Sequence, residues 1–564
     1  MARLPLLALL LSIPSPATAQ WSKDPSNPQE LAGGAGDQGA AQLVAGPGGS
    51  LFFSYLDAGA AKLQRLDAAG RTMWPAPVTL GTTTTTRLAS DPSGNAWVSI
   101  ADVGLTVFQF DAEGNQVWSH SLAAGNIYQH SLAVTETGHA VVAWADSNWG
   151  IVAQRLDPLG APQWNPPFVV PPDPAFPFPI QKSSPRLAAV GGDAVVLAWS
   201  SGDGVFASDL HLHAQKLDVA GNALWFPDPV VVFEKGSLWG SVSVTSDGLG
   251  GAYLRYHDID PFVGVFQRLL SDGTQSLGQP GEGMSLATLP NLPGGAHAAL
   301  RPETNETYVV WTDKLFLDNE FTGDRGYSAQ KFAPNGAPLW GSAGVVCVPV
   351  SDTTKSGAYI VPLPHGVAVA WMEEDQLRVL LLDENGAPQG EIIDVGDALD
   401  PKFINEVVAG AFGDLVALWQ QASDVVGQNL TPSGNFGPAP GAVFRTAGPN
   451  PHSLTASVGP LGGDLELSVD LTTTGHEFAT IVCYLAPAEI YIGGGVSGGD
   501  YALVLPVGPQ LLPLPLLRGP TAEVTLPIPQ LPILCGVTLY SQAVHIGSIL
   551  PLRASNAQDL YFGL

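Results

Sequence analysis

Two histidines, His211 and His213 in DLHLHAQKLD, have the spacing in this chain that comes nearest to a metal site. On a strand, residues two apart share a face, so both imidazoles would point the same way. No acid or cysteine stands at ligand spacing to complete a set, and the pair reads as two histidines on a solvated strand face. Close carboxylates occur at Glu373 with Glu374 and at Asp258 with Asp260. Glycoside hydrolysis needs two carboxylates facing across a cleft, and nearness along the chain does not supply that, so these read as solvated surface acids. Asp91-Pro-Ser-Gly-Asn95 and Asp111-Ala-Glu-Gly-Asn115 have the look of calcium loops but lack the alternating acids and the closing glutamate, and they read as turn formers. Gly493 to Gly499, GGGVSGG, lacks the Lys-Ser/Thr ending of a phosphate loop and reads as a flexible hairpin. No G-x-S-x-G elbow is present. No catalytic, cofactor-binding or metal-binding residue is assigned, and no cofactor is expected.

The elements that would position any such chemistry are strands. The chain has 564 residues, with 65 glycines and 49 prolines and only 13% charged residues, and no long amphipathic helical stretch. That composition breaks helices and suits many short strands joined by tight turns. The length implies two or more domains, or one large repetitive one.

Residues 1 to 19 read as a secretory signal: Arg3, an apolar run from Leu4 to Ile13, and Ala17-Thr18-Ala19 before Gln20. The run is too short to span a bilayer, and the apolar stretch Ala502 to Leu517 is broken by four prolines, so no membrane span is expected. The expected location is secreted or at the cell surface. Without the signal the chain keeps 22 basic residues against 51 acidic ones, a formal charge of −29. A surface this acidic repels phosphate backbones, which excludes nucleic acid as a partner. Of the three cysteines, Cys347 in GVVCVPV reads as a small buried hydrophobe. Export makes a Cys483–Cys535 disulfide possible, and the sequence leaves its existence open.

From about residue 41, after an N-terminal arm of residues 20 to 40, one phrase returns eight times. Its turn is marked by Gly70 (QRLDAAGRTMW), Gly114, Gly160 (QRLDPLGAPQW), Gly221 (QKLDVAGNALW), Gly273, Gly336, Gly386 and Gly434, spaced 44 to 63 residues apart. Uneven spacing around a fixed core marks loop insertions in a repeat array. Upstream of each turn an apolar strand closes on an aromatic, as in AVVAW at Trp144, VVLAW at Trp199 and VAVAW at Trp371. Such runs suit strands buried on both faces. In the turn, aspartate accepts backbone hydrogen bonds, glycine takes the left-handed position, and the following tryptophan suits a seam between sheets. About four short strands fit each unit, which predicts a β-propeller of eight blades over residues 41 to 445, with seven as the runner-up.

The Asp…Gly…Trp turn resembles the tryptophan-docking repeat of quinoprotein-type propellers, as in pyrroloquinoline-quinone alcohol dehydrogenases and an outer-membrane assembly lipoprotein. Here the turn is one residue shorter (Asp67, Gly70, Trp74), the threonine before the glycine is missing, and the adjacent cysteine pair of the dehydrogenases is absent. The resemblance therefore implies the architecture and not the cofactor. Residues 446 to 564 leave the repeat. Alternating strands such as LELSVDL, ATIVCYLA and GVTLYSQAVHIG predict a small β-sandwich. The motifs LPIPQLPILCGVTLYSQA and ASNAQDLYFG are similar to a C-terminal module of planctomycete-type secreted proteins. The functional expectation is an exported, non-enzymatic binding or surface-interaction module for an unknown protein or glycan, with Pro171 to Pro185, Ser201 to Leu210 and Lys314 to Tyr327 as the insertions to inspect. The alternative is a carbohydrate-active hydrolase or lyase on the same scaffold.

Overall fold

The computed structural model describes residues 20–564 except 35, 128, 147, 149, 172–180, 203–210, 226–227, 235–241, 258–263, 279, 281–283, 286–290, 318–319, 396–400, 433, 448–449, 493–499, 506–509, 511–513, 515, 532–533 and 548–551. The signal segment, Asp258 and Asp260, GGGVSGG and most of the insertions Pro171 to Pro185 and Ser201 to Leu210 fall outside the described residues; Lys314 to Tyr327, expected as an insertion, lies in two paired strands, Glu306–Leu317 and Glu320–Phe332, with Lys314 opposite Arg325. Among those described, the fold is all-β, with one 3-10 turn at Pro47–Gly49. No described helix is long and apolar enough to cross a membrane.

Eight consecutive antiparallel sheets occupy residues 29–430. The third is typical: Gln129–Val134, Ala140–Ala145, Ile151–Leu156 and Phe168–Val169 pair in chain order. Its second strand, AVVAWA, is buried at every position, because a sheet flanked by sheets has no solvated face. In the second sheet one long strand, Ala96–Phe110, serves two places: residues 96–101 pair with Thr85–Ser90, and residues 103–110 with Gln116–Asn126. The first strand of each sheet touches the first strand of the next, and that of the eighth, Pro401–Ala409, touches Gln38–Ala45 of the first. The sheets therefore stand radially around an axis lined by their first strands, a propeller arrangement.

The eighth sheet corrects the expected boundaries. Its outer strand comes from the N-terminal arm: Gln29–Ala32 pairs with Asp424–Leu430, with Glu30 opposite Val426. The arm is thus part of the ring. Conversely, Gly441–Arg445, expected within the repeat region, pairs with Arg553–Tyr561 of the C-terminal module. That module has a five-stranded sheet, a three-stranded sheet and a two-stranded ribbon. Leu467 and Val469 of the three-stranded sheet share one core with Ile481, Cys483 and Ala543 of the five-stranded one. It sits on the ring where the first and last sheets meet: Arg71 donates to Thr538 at 2.7 Å, and Tyr561 packs on Ala68, Ala69 and Phe412.

Candidate functional site

The repeated turn is built as its residue types require. Asp157 Oδ1 accepts from the amides of Leu159 (3.0 Å) and Ala161 (2.8 Å), and Gly160 sits at φ +82°. All eight turn glycines lie between φ +81° and +87°, a region costly for any side chain with a Cβ. The tryptophan that follows does not cover its own turn; it covers the next one. Trp118 lies over Gly160 and donates from Nε1 to Pro158 O at 3.1 Å; Trp164 lies over Gly221 and donates to Val219 O at 3.0 Å. A Cβ on Gly160 would come within 2.5 Å of the Trp118 ring. The last repeat has Pro438 where the tryptophan should stand, four residues after Gly434. Trp21 from the arm takes that place, lying over Gly70 and donating to Ala68 O at 3.1 Å.

Two residues in the QRLD and QKLD phrases have roles the sequence reading missed. The glutamine clamps the tryptophan of its own sheet: Gln154 Nε2 donates to Trp164 O at 2.9 Å, and Trp164 N donates back to Gln154 Oε1 at 3.0 Å. Gln215 and Trp225 repeat the pair. The basic residue reaches the neighbouring sheet, as Arg155 does with Asp193 and Lys216 with Gly250 O at 2.6 Å. Their recurrence beside the aspartate was the available signal.

The axis carries a second pattern. In each first strand one register position, opposite the residue just before the closing aromatic (in the second sheet Ser99, just before Ile100), holds a polar side chain: Gln42, Arg87, Ser131, Arg186, Ser243, His297, Tyr359 and Glu406 in sheet order. Most of them stitch to the first strand of the next sheet. Gln42 donates to Thr86 O at 3.0 Å, Arg87 Nε to His130 O at 3.1 Å, and Arg186 Nε to Val242 O at 3.1 Å. Leu187 N donates to Ser131 Oγ at 3.1 Å, Ile360 N to His297 Nδ1 at 3.3 Å, and Tyr359 OH to Asn405 O at 3.4 Å. Burial, then the charge of Arg87, lowers the pKa of His130 to about 3; burial, then the charge of Arg255, lowers that of His297 to about 4. Both are neutral at pH 7. Burial raises Glu406 to about 7.

A cavity of about 720 Å³ opens between the first strands of the sixth, seventh and eighth sheets, with His297 and Glu406 on its wall and Arg301, Glu303 and Thr304 toward its mouth. Arg301 is spent on Glu384 at 2.6 Å and on Leu363 O at 2.7 Å, and Lys331 also pairs with Glu384 at 2.7 Å. The polar layer thus brings a single carboxylate to the axis, where a hydrolase of the two-carboxylate kind needs a pair.

Several expected positions are corrected. His213 is buried and stacks on Trp199 with ring centroids 5.6 Å apart, and His211 lies 5.8 Å from it, so the pair is not on a solvated face. Their strand lies between two others and is buried at six of seven positions. Among the described residues, no group of three or more His, Cys, Asp or Glu is placed to hold a metal. Glu373 is no surface acid: it is buried, pairs with Lys355 at 3.2 Å and Arg378 at 2.7 Å, and accepts from Trp371 Nε1 at 3.1 Å. Burial alone would raise its pKa; hydrogen bonds from Thr353, Trp371 and Lys355 and the Lys355 charge outweigh that and hold it at about 2. The three cysteines are free and buried, so no Cys483–Cys535 bridge is present. Burial pushes the thiols of Cys347 and Cys483 up to about 12, far from reactive.

No protein-family model and no curated protein matches the chain. Solved structures do. The propeller described as Dos1 aligns at TM-score 0.44 and 11% identity over 73% of this chain and 94% of its own. Dihydro-heme d1 dehydrogenase NirN aligns at 0.37 and 14% over 75% and 82%. The Cps50 (Swd1) β-propeller domain of Myceliophteria thermophila aligns at 0.35 and 10% over 71% and 99%. At these scores they bear on neither ligand nor activity; the all-β, propeller-type arrangement rests on the sheet order and the ring of first strands.

Proposed function

We propose that the chain is an exported eight-bladed propeller with a C-terminal β-sandwich, acting as a non-enzymatic module that binds a protein or glycan at one face. The observation that carries this reading is where the chain varies. Strand direction alternates within each sheet, so second-to-third connections and links to the next sheet leave from one end. First-to-second and third-to-fourth turns leave from the other. The connections at the first end differ in length from sheet to sheet, from Asp57 to Ala60 in the first sheet to Gly202 to His211 in the fourth and Val169 to Gln181 between the third and fourth. The other end carries the repeated turns and the C-terminal module. A scaffold that is uniform at one end and variable at the other fits recognition by loops. Eight sheets, eight turn glycines and docked tryptophans also favour the quinoprotein-type repeat over other propeller repeats. The shared core between the two larger sheets of the C-terminal module favours a sandwich, as in the planctomycete-type secreted modules its motifs resemble.

The test is a glycan and peptide array probed with the mature protein and with a variant whose 172–180 and 203–210 stretches are replaced by short Gly-Ser links. Binding is expected, and loss of it in the variant; binding that survives the replacement sinks the placement. The alternative, a carbohydrate-active hydrolase or lyase, rests on Glu406, a carboxylate at the axis with a pKa near neutrality. Polysaccharide turnover abolished by Glu406→Gln would favour it.

A further inference from the structure

In a protein with 51 acidic against 23 basic residues, every arginine has carboxylates to choose from. Arg71, Arg155, Arg268, Arg301, Arg378, Arg445 and Arg553 each form an ion pair. Arg87, Arg186 and Arg255, all in the axial layer, form none among the described residues; Arg65 and Arg518 form none either, but Arg65 donates to Ser50 Oγ and Ala112 O, and exposed Arg518 lies over the Phe478 ring. Arg87 and Arg186 are held alike: Nε donates to a carbonyl of the next first strand, and Nη1 donates to the carbonyl of the residue before, Thr86 or Pro185. Those bonds fix both guanidinium planes and use no Nη2 donor. Arg255 stands on the second strand of the fifth sheet opposite Ser243, whose small side chain leaves the layer position to it. Its Nε is buried with no hydrogen-bond partner.

The three charges also feel one another. Burial, then Arg87, lowers Arg186 to about 10. Burial lowers Arg255 to about 10 as well; Tyr359 works against that and Arg186 adds to it. All stay protonated at neutral pH. The two histidines nearby are neutral, and burial, not an arginine, governs Glu406. The layer therefore holds a fixed, preorganised cluster of three arginines, none of them ion-paired, inside an acidic protein. Holding like charges together inside protein costs stability, and fixed guanidinium groups with spare donors match the oxygens of an oxyanion.

We propose that Arg87, Arg186 and Arg255 form a binding site on the propeller axis for an oxyanion, a carboxylate, sulfate or phosphate group, either free or borne on an acidic sugar. The site goes beyond the loop-face reading, because it uses no residue of the variable connections.

The experiment is calorimetric and thermal titration of the mature protein with sodium sulfate, sodium phosphate and a glucuronate-containing oligosaccharide, against sodium chloride at equal ionic strength. Saturable binding is expected, weakened at least about tenfold by Arg186→Gln or Arg255→Gln, the effect of losing a charged hydrogen bond. Arg518→Gln, in the C-terminal module, leaves it unchanged. Arg255→Gln is further expected to keep or raise the unliganded melting midpoint, since it removes a repelled charge whose Nε has no partner; an arginine that served structure alone would lower it. The oligosaccharide saturating where the salts do not would identify the acidic sugar, and the reverse a free anion. The variant with replaced loops retains the response, which separates this site from the loop face. No saturable response to any of the three, or a response equal in Arg186→Gln and Arg255→Gln, overturns the proposal.

Discussion

The ring is closed by the arm, and Trp21→Ala tests that closure. Trp21 is 1% exposed, covers Gly70, donates to Ala68 O and packs with Leu43, Phe53 and Leu418 of the first and last sheets. Truncating a buried tryptophan costs about 3–5 kcal/mol. Trp164→Ala breaks an equivalent seam in mid-ring and carries a similar cost. The two differ in consequence. Losing Trp21 also frees the segment that leads into Gln29–Ala32, whose hold then rests on pairing with Asp424–Leu430 and on Gln29 donating to Gly70 O at 2.8 Å. Urea unfolding followed by tryptophan fluorescence gives the stability loss, and limited proteolysis reads the arm. Trp21→Ala is expected to lose about 3–5 kcal/mol and to become cleavable between residues 22 and 37 while the rest stays resistant. Trp164→Ala is expected to lose as much with the arm still protected. Trp21→Phe keeps most of the ring contact and loses one hydrogen bond, for about 1 kcal/mol. A loss below about 1 kcal/mol for Trp21→Ala, or an arm still protected, would refute the reasoning.

Three further outcomes follow from the geometry. Gly160→Ala places a Cβ at φ +82° against the Trp118 ring and is expected to destabilise by more than about 1 kcal/mol, whereas Gly125→Ala, with open space around it, pays only for its backbone conformation; thermal melts of the two compare them. Glu406 has a raised native pKa, so its folded form holds a proton the unfolded chain has lost, and stability falls as pH rises from about 4.5 to about 7. That shift corresponds to about 3 kcal/mol at 1.36 kcal/mol per pH unit; Glu406→Gln should match the native protein at pH 4 and exceed it at pH 8, and equal midpoints at pH 8 would count against the account. His130, His297 and His545 have lowered native pKa values of about 3, 4 and 4, so their contribution is complete above pH 6.5 and is lost as pH falls from there. Three histidines against one glutamate give a net fall in melting midpoint between pH 6.5 and 4.5, and a flat profile would contradict their burial as neutral rings.

The turn and the seam were legible because the same residues recur at fixed offsets: Gly160 has copies that count out eight sheets, and Asp157 and Trp164 recur with it in most of them. The offset between a tryptophan and the turn it covers was not legible, since docking onto the next sheet leaves the same spacing as docking onto its own. The arm's role did leave a trace. Trp21 stands without a repeat of its own, at the opposite end of the chain from a last repeat that lacks its tryptophan, as the repeats of Gly273 and Gly386 also do. The axial layer left none, because one register position is filled by Gln, Arg, Ser, His, Tyr or Glu, and nothing in residue type links Gln42 to Glu406. Glu373 was misread as a surface acid because Lys355, its partner, lies on the neighbouring strand eighteen positions earlier, and only pairing brings them together. His213 was misread because alternation along HLHAQKL implies one wet face, and this strand has none.

Everything proposed for the axis and the loop face depends on eight sheets closing into one ring. Electron-microscope projections of the isolated particle viewed down the channel test that most directly. Eight lobes around a central hole, with the C-terminal module on the side where the first and last lobes meet, is the predicted result; seven lobes or an open arc would contradict it.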